Sequence, residues 1–194
     1  YCRTRPARLL REDFCGTAFL ASTWVRSDPE RRAVGVDIDP DVLDWAERHN
    51  RRSLGEAASR LALECDDVLA VEGVRADVLV SLNFSHFIYK RRDELLRYFR
   101  HARDRLEDDG LMIVDVFGGP ESIRPSTDAR SFSDFTYLWE QASFNPLTSE
   151  IVCYIHFKFP NGSTMRQAFT YDWRMWSIPE LRELLQEAGF GETA

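Results

Sequence analysis

Few features of this chain would fix its class on their own. It has 194 residues and four cysteines. Cys2, Cys15, Cys65 and Cys153 stand far apart, with no C-x-x-C pair. Neither a zinc site nor a disulfide framework is suggested, so no metal is expected, and a reducing compartment, the cytoplasm, is the plain reading. No apolar run approaches the length of a membrane span, so no membrane partner is expected. No signal peptide is visible. An excess of basic residues is also lacking. The formal net charge is −7, which argues against a nucleic-acid partner, because such proteins usually need a basic face. There are no internal repeats and no low-complexity segments. The chain lacks an initiating Met, opens almost directly on an apolar strand and stops just after a predicted helix. It is therefore read as trimmed at both ends.

What is present fits a soluble globular protein, with 44% hydrophobic and 29% charged residues. The length suits a single domain over residues 1–194 with a substantial core. The organising stretch is residues 8–39. It holds Leu9-Leu10-Arg11-Glu12-Asp13, the small-residue turn Phe14-Cys15-Gly16-Thr17-Ala18, an apolar run to Val25, a polar break, and Ala33-Val34-Gly35-Val36-Asp37-Ile38-Asp39. This reads as strand, turn, helix, loop and strand, with carboxylates at both strand ends. Ligands of open α/β sheets bind outside the carboxyl ends of the strands.

The rest of the first half continues that alternation. Leu9 and Leu10 form a short strand, residues 17–26 a helix with Leu20 and Trp24 inward, and residues 33–38 a second strand. Asp39-Pro40 supplies an N-cap and a first-turn proline for a helix to about His49. Residues 51–60 read as a surface connection. Residues 61–65 and 76–82 read as the third and fourth strands, the latter a continuous apolar run suited to a parallel strand covered on both faces. Residues 93–106 form an amphipathic helix ended by Gly110, followed by a fifth strand over 111–117. The expected class is α/β: a Rossmann-like, mostly parallel sheet with helices on both faces.

A late change of period adds an antiparallel meander over about residues 131–174. Phe135, Tyr137 and Trp139 alternate with polar residues, as do Ile151, Cys153, Ile155, Phe157 and Phe159. Asn161-Gly162 reads as a two-residue hairpin turn. Ser177-Ile178-Pro179-Glu180 is a capping box for a last helix with Leu181, Leu184, Leu185 and Ala188 inward and Gly189 at its end.

The first turn holds one glycine, Gly16, where a dinucleotide fingerprint has three, so a nicotinamide site is disfavoured. The P-loop pattern is absent too. An acidic strand end beside a small-residue turn suits a neutral or cationic ligand better than a pyrophosphate.

These residues, in this order, resemble the class I S-adenosylmethionine-dependent methyltransferases. Glu12 to Ala18 is similar to that family's first motif, and Gly35-Val36-Asp37-Ile38-Asp39-Pro40 to its second. Asp66 or Asp67 before Val68 is similar to its third, and the segment from Asp77 to Ser85 to its fourth. The segment Asp109 to Val114 and the late helix, residues 177–190, complete the series. The family often has glycine where Phe14 and Ala18 stand. The resemblance implies a methyltransferase with S-adenosyl-L-methionine as cofactor. It assigns Glu12, Phe14, Cys15, Gly16 and Thr17 to the cofactor wall, with Glu12 anchoring either the turn or the cofactor's amino group. Asp37 would take the ribose hydroxyls, with Ile38 beside it. Asp67, or its neighbour Asp66, would hold the adenine amino group next to Val68. Asn83 and Phe84 would lie at the methionine end.

No catalytic residue follows from the sequence. His86 and Tyr89 are the best-placed titratable groups, though a satisfied loop histidine is the commoner role for His86. Cys15 reads as a small buried residue rather than a nucleophile. Asp39 reads as a helix cap, and the arginines of residues 90–105 as a solvated helix face. The acceptor is expected to be a small molecule, since Asn83-Phe84-Ser85-His86 lacks the Asn-Pro-Pro-Tyr-like segment of amino-directed nucleic-acid methylases. The aromatic residues of the meander leave room for a substrate pocket or a homodimer contact. Two other readings stand beside this one: an aminopropyltransferase-like enzyme using a related sulfonium, and a non-catalytic binding or assembly domain of the same fold.

Overall fold

The computed structural model describes residues 5–73 and 75–193; Cys2 lies outside them. The chain divides into two compact units. The first takes the chain up to His86, Leu96–Asp115 and the chain from Leu184 onward. The second takes Phe87–Leu95 and Val116–Glu183.

The first unit is a five-stranded parallel sheet. Its strands are β1 (Leu9–Asp13), β2 (Arg32–Asp37), β3 (Leu61–Cys65), β4 (Ala76–Ser81) and β5 (Leu106–Val114), in the order β3-β2-β1-β4-β5. Strand order therefore reverses between β1 and β4, which makes their carboxyl ends the expected ligand crevice. Alternation along β4 shows how the sheet is covered. Val78 and Val80 join a cluster with Leu10, Ala18, Ala21, Val25, Leu43 and Ala46. These come from β1, the first turn, helix α1 (Phe19–Arg26) and helix α2 (Pro40–Ala46). Leu79, pointing the other way, packs with Ala102 of helix α3 (Arg92–Asp104) and with Leu106, Met112 and Phe190. The α/β class expected from the sequence is the class found. No helix among the described residues is long and apolar enough to cross a membrane.

The helix starts follow their local chemistry. Asp39 Oδ1 accepts the N–H groups of Asp41 and Val42 at 2.9 and 3.3 Å, with Pro40 at the first helical position. Ser177 and Glu180 form the reciprocal capping box of helix α4 (Ile178–Glu187). Gly189, at φ +97°, ends that helix.

Three local expectations are corrected. Residues 51–60 are not a plain connection: Glu47–Arg51 and Arg52–Arg60 continue as helical turns broken at Gly55. Leu54 and Ala57 supply the reason, since both pack on the core. Helix α3 stops at Asp104, and Leu106 already pairs with Ala76 as the start of β5. The register then slips, and Val78 pairs with Leu111. Gly110 belongs to that irregular segment and is not a helix terminator. A Cβ on it would lie 3.0 Å from the backbone carbonyl oxygen of Glu107.

The second unit is a four-stranded antiparallel meander, in the order β6 (Ser126–Ser131), β7 (Thr136–Asn145), β8 (Glu150–Lys158) and β9 (Thr164–Arg174). Its β8–β9 connection is the third correction. Lys158 pairs with Thr164, and the Gly162 N–H donates to the Phe159 carbonyl at 3.0 Å. Pro160 and Asn161 are thus the central turn residues and Gly162, at φ +85°, follows them. This is the three-residue loop with a left-handed third position rather than a two-residue turn. Pro160 favours it because its fixed φ suits the first central position.

Gly110→Ala should destabilise the protein by roughly 1–3 kcal/mol, since backbone oxygen cannot move aside as a side chain can. Denaturant unfolding followed by circular dichroism measures this. An unchanged midpoint would show that the β5 bend does not need glycine.

Candidate functional site

Parallel register brings the sequence-predicted residues to one edge. Asp13 is level with Val36 on one side and with Ser81 on the other. The turn after β1, the end of β2 and the exit of β4 therefore leave the sheet at the same height. Hydrogen bonds then tie the loops together. Cys15 N–H donates to the Val36 carbonyl at 2.9 Å, and Asp66 N–H to the Asp37 carbonyl at 3.1 Å.

Asp37 is the centre of this edge. Its Oδ2 accepts the Gly16 N–H at 2.7 Å, and its Oδ1 accepts the Asp39 N–H at 3.0 Å. A carboxylate has about four acceptor positions, so roughly half remain for a ligand. Ile38, beside it, is 72% exposed and offers an apolar face.

The first turn runs through three left-handed residues: Phe14 (φ +57°), Gly16 (φ +51°) and Ala18 (φ +52°). A Cβ on Gly16 would meet nothing within 4 Å, so the ligand side of the turn is open. Phe14 and Ala18 adopt the geometry that favours glycine, at a cost of about 1–2 kcal/mol each. The Phe14 ring packs on Tyr98 at 5.7 Å. Cys15 is buried, and burial pushes its thiol far above the ordinary range. It is held close to Gly35, where an added Cβ would lie 3.0 Å from Cys15 Sγ. That is a packing role. The Thr17 carbonyl accepts from Asn50 Nδ2 at 2.7 Å.

Glu12 is 9% exposed, and its Oε2 accepts the Ala21 N–H of α1 at 2.8 Å. Of the two roles left open for it, this contact is the turn anchor. Burial pushes its pKa up from 4.5 to about 7, and the negative charge of Asp37 adds to the rise.

At the end of β3, Asp66 Oδ1 accepts the Asp67 N–H at 2.8 Å, and Asp67 Oδ1 accepts the Leu69 N–H at 2.8 Å. Both aspartates are exposed, and Val68 is buried at 3%. A groove of about 360 Å³ runs beside Asp67, lined by Leu69, Ala70, Arg97 and His101.

Asn83 and Phe84 are consecutive left-handed residues, at φ +55° and +57°. Their N–H groups donate to Asp115 Oδ2 and Oδ1, each at 2.9 Å. Asp115 was not singled out from the sequence. A carboxylate one residue past the β5 strand was the available signal, the same signal that pointed to Asp37. Arg11 and Asn50 were missed as well. His86 is fully buried, 6.2 Å from the Phe99 ring, and burial lowers its pKa to about 4. It is core rather than base. Tyr89 belongs to the second unit, where its carbonyl accepts from Trp176 Nε1 at 3.1 Å.

The edge therefore combines an open glycine turn, a half-used carboxylate, an exposed apolar residue and further acids. That set fits a ribose beside a positively charged centre, as S-adenosyl-L-methionine would present. The comparisons with known proteins agree. Residues 15–112 match the family described as Methyltransferase domain, and the chain belongs to that family. Its membership bears out the resemblance to class I S-adenosylmethionine-dependent methyltransferases. Among solved structures, an S-adenosylmethionine-dependent methyltransferase from Clostridium acetobutylicum ATCC 824 is 19% identical, with a TM-score of 0.76 over 94% of this chain and 73% of that one. The CcbJ methyltransferase from Streptomyces caelestis is 18% identical, with a TM-score of 0.77 over 94% and 72%. CalS10, an amino pentose methyltransferase from Micromonospora echinaspora, is 16% identical, with a TM-score of 0.73 over 97% and 77%. At these identities the likeness establishes the fold. No curated protein matches the chain.

Glu12 gives the site a pH signature. Its folded pKa lies above its ordinary value, so the folded state holds a proton that the unfolded state releases. Stability should therefore fall as pH rises from 4.5 to about 7, by an amount of order 3 kcal/mol, and then level off. Glu12→Gln keeps an acceptor for Ala21 and removes the proton. Urea unfolding of both proteins across that range should show the extra slope in the wild type alone; parallel curves would refute the assignment.

Proposed function

We propose that this methyltransferase domain transfers a methyl group from S-adenosyl-L-methionine to a small-molecule acceptor, with the cofactor held along the carboxyl edge of β1, β2, β3 and β4. The observation that carries the reading is the Asp37 carboxylate. It fastens Gly16 and Asp39 by their backbone N–H groups while keeping acceptor capacity outward.

When bound, S-adenosyl-L-methionine supplies a methyl group on a positively charged sulfur. The chain's own residues bind and orient. Asp37 accepts from the ribose hydroxyls, and Gly16 lets the backbone come close. Ile38 gives apolar surface to the adenine, buried Val68 anchors the loop beside it, and Asp67 or Asp66 accepts from its amino group. Glu12 fixes the start of α1 and thereby the turn holding Phe14, Cys15 and Thr17. Asn83 and Phe84, held by Asp115, face the methionine end. Alignment and exclusion of water carry much of the rate in such in-line displacements, so no particular general base is required.

A small-molecule acceptor is supported by the negative net charge and by the amino pentose named for CalS10. The same reading treats the two units as one methyltransferase-like domain over residues 1–194 with the meander as its insertion, and takes the cytoplasm as its compartment. Free Cys15, Cys65 and Cys153 are in keeping with a reducing environment. The aromatic rows of β7, β8 and β9 leave a homodimer open.

Isothermal titration with S-adenosyl-L-methionine and its demethylated product tests the cofactor site. Both should bind, and Asp37→Ala should weaken both by about 10–100-fold, the loss of one hydrogen bond to a charged group. An unchanged affinity in Asp37→Ala would remove the ribose assignment. Absence of binding by the wild type would remove the reading itself.

A further inference from the structure

Beneath the site lies a buried ion pair with no place in cofactor contact. Arg11 and Asp13 are two residues apart on β1 and so share a face of the sheet. Their side chains are 5% and 0% exposed. Arg11 Nε donates to Asp13 Oδ1 at 2.7 Å, and the Tyr98 hydroxyl of α3 donates to Asp13 Oδ2 at 3.1 Å. The other two guanidinium nitrogens reach away from the strand. Nη2 donates to the Val68 carbonyl at 2.8 Å and Nη1 to the Val71 carbonyl at 3.0 Å. Those carbonyls belong to the loop that leaves β3 directly after Asp66 and Asp67.

Burying a guanidinium costs several kcal/mol unless its donors are satisfied, and an apolar residue of similar volume would avoid that cost. Packing alone therefore does not account for Arg11. What an apolar residue could not do is join β1 to two carbonyls 57 and 60 positions along the chain. A planar fork with fixed donor directions does this, and a lysine ammonium is a point charge that does not. Within the loop, Ala70 and Val71 donate to the Asp67 carbonyl at 2.8 and 3.2 Å and Leu69 N–H donates to Asp67 Oδ1 at 2.8 Å, while His101 of α3 also meets the Val71 backbone.

We propose that Arg11, oriented by Asp13 and Tyr98, is a positioning residue that clamps the loop after β3, so that Asp67 and Val68 stay where the adenine end of the cofactor is recognised. This rests on the cofactor reading above. Arg11 touches no ligand; it acts through the Val68 and Val71 carbonyls.

Arg11→Lys keeps a charge for Asp13 and gives up the fork. In a folded variant, the amides of Leu69, Ala70 and Val71 should exchange hydrogen about tenfold faster, while those of β4 stay protected. Affinity for S-adenosyl-L-methionine should fall about tenfold, the effect of one lost hydrogen bond to a charged group. 5′-Methylthioadenosine, which keeps the adenosine and lacks the amino acid end, should lose affinity by the same factor. A general structural defect would not confine itself to those three amides. If the wild type binds neither ligand, the cofactor reading fails, and the exchange data still decide the clamp. Should Arg11→Lys fail to fold, Tyr98→Phe removes the hydroxyl bond to Asp13, and the same amides should exchange about threefold faster. Unchanged exchange in the folded variant overturns the proposal. So does loss of folding in both, which would make the pair a general stabiliser.

Discussion

Carboxylates accepting backbone N–H groups hold the open edge of the sheet. Residues that leave a parallel sheet lose their ladder partners, and their N–H groups need acceptors. Asp37 takes those of Gly16 and Asp39, Asp115 those of Asn83 and Phe84, and Glu12 that of Ala21. Hydrogen bonds to charged groups contribute roughly 1.5–3 kcal/mol each. A left-handed conformation at a residue with a side chain costs about 1–2 kcal/mol. Two such bonds at Asp115 therefore offset the two left-handed residues they restrain. That balance explains how Asn83 and Phe84 hold φ values usually left to glycine.

The same device fixes the chemistry of the edge. Each carboxylate recruited to hold a loop brings a negative charge to one end of the sheet. Glu12 registers the result: its proton is held more tightly because burial and the charge of Asp37 both oppose ionisation. An anionic ligand such as a pyrophosphate would meet repulsion here. A ligand with hydroxyl donors and a sulfonium would meet acceptors and a favourable field. The single glycine of the first turn points the same way, because Gly16 leaves the backbone there open to a ligand.

Much of this was legible in the sequence because the strands are short, apolar and ended by acids. Asp37, Asp66, Asp67 and Asn83, which follow successive strands in the chain, gather at one edge of the sheet, where the strand order sets Asp66 and Asp67 beside Asp37 and places Asn83 beyond β1. What was illegible depended on long-range partners. Leu106 reads as the last turn of an amphipathic helix, yet pairing with Ala76 draws it into β5. Residues 51–60 read as polar surface, yet Leu54 and Ala57 pack on the core and Arg60 reaches the carbonyls of Val25, Asp28 and Arg31, and the segment is coiled. Asn161-Gly162 has the two-residue turn signature, but Pro160 moves the turn one position earlier. Asp115 carried the right local signal and went unmarked, because its value lies in two N–H groups 31 and 32 positions away.

The strand β1 shows why a central strand can carry three consecutive charges. Period-two alternation sends Glu12 to the α1 side and Arg11 and Asp13 to the opposite side. Glu12 finds a backbone N–H, Asp13 finds Arg11 and Tyr98, and Arg11 finds two carbonyls. None of the three is left without a partner, which is the condition under which buried charge is tolerated. The cost of burying them is met by fixing three neighbours at once: α1, α3 and the loop after β3. Geometry at the edge thus derives from side chains inside the sheet as well as from Asp37 and Asp115 at the strand exits. A wholly apolar β1 would lose the contacts that hold α1, α3 and the loop after β3, even with Asp37, Asp66, Asp67 and Asn83 all in place.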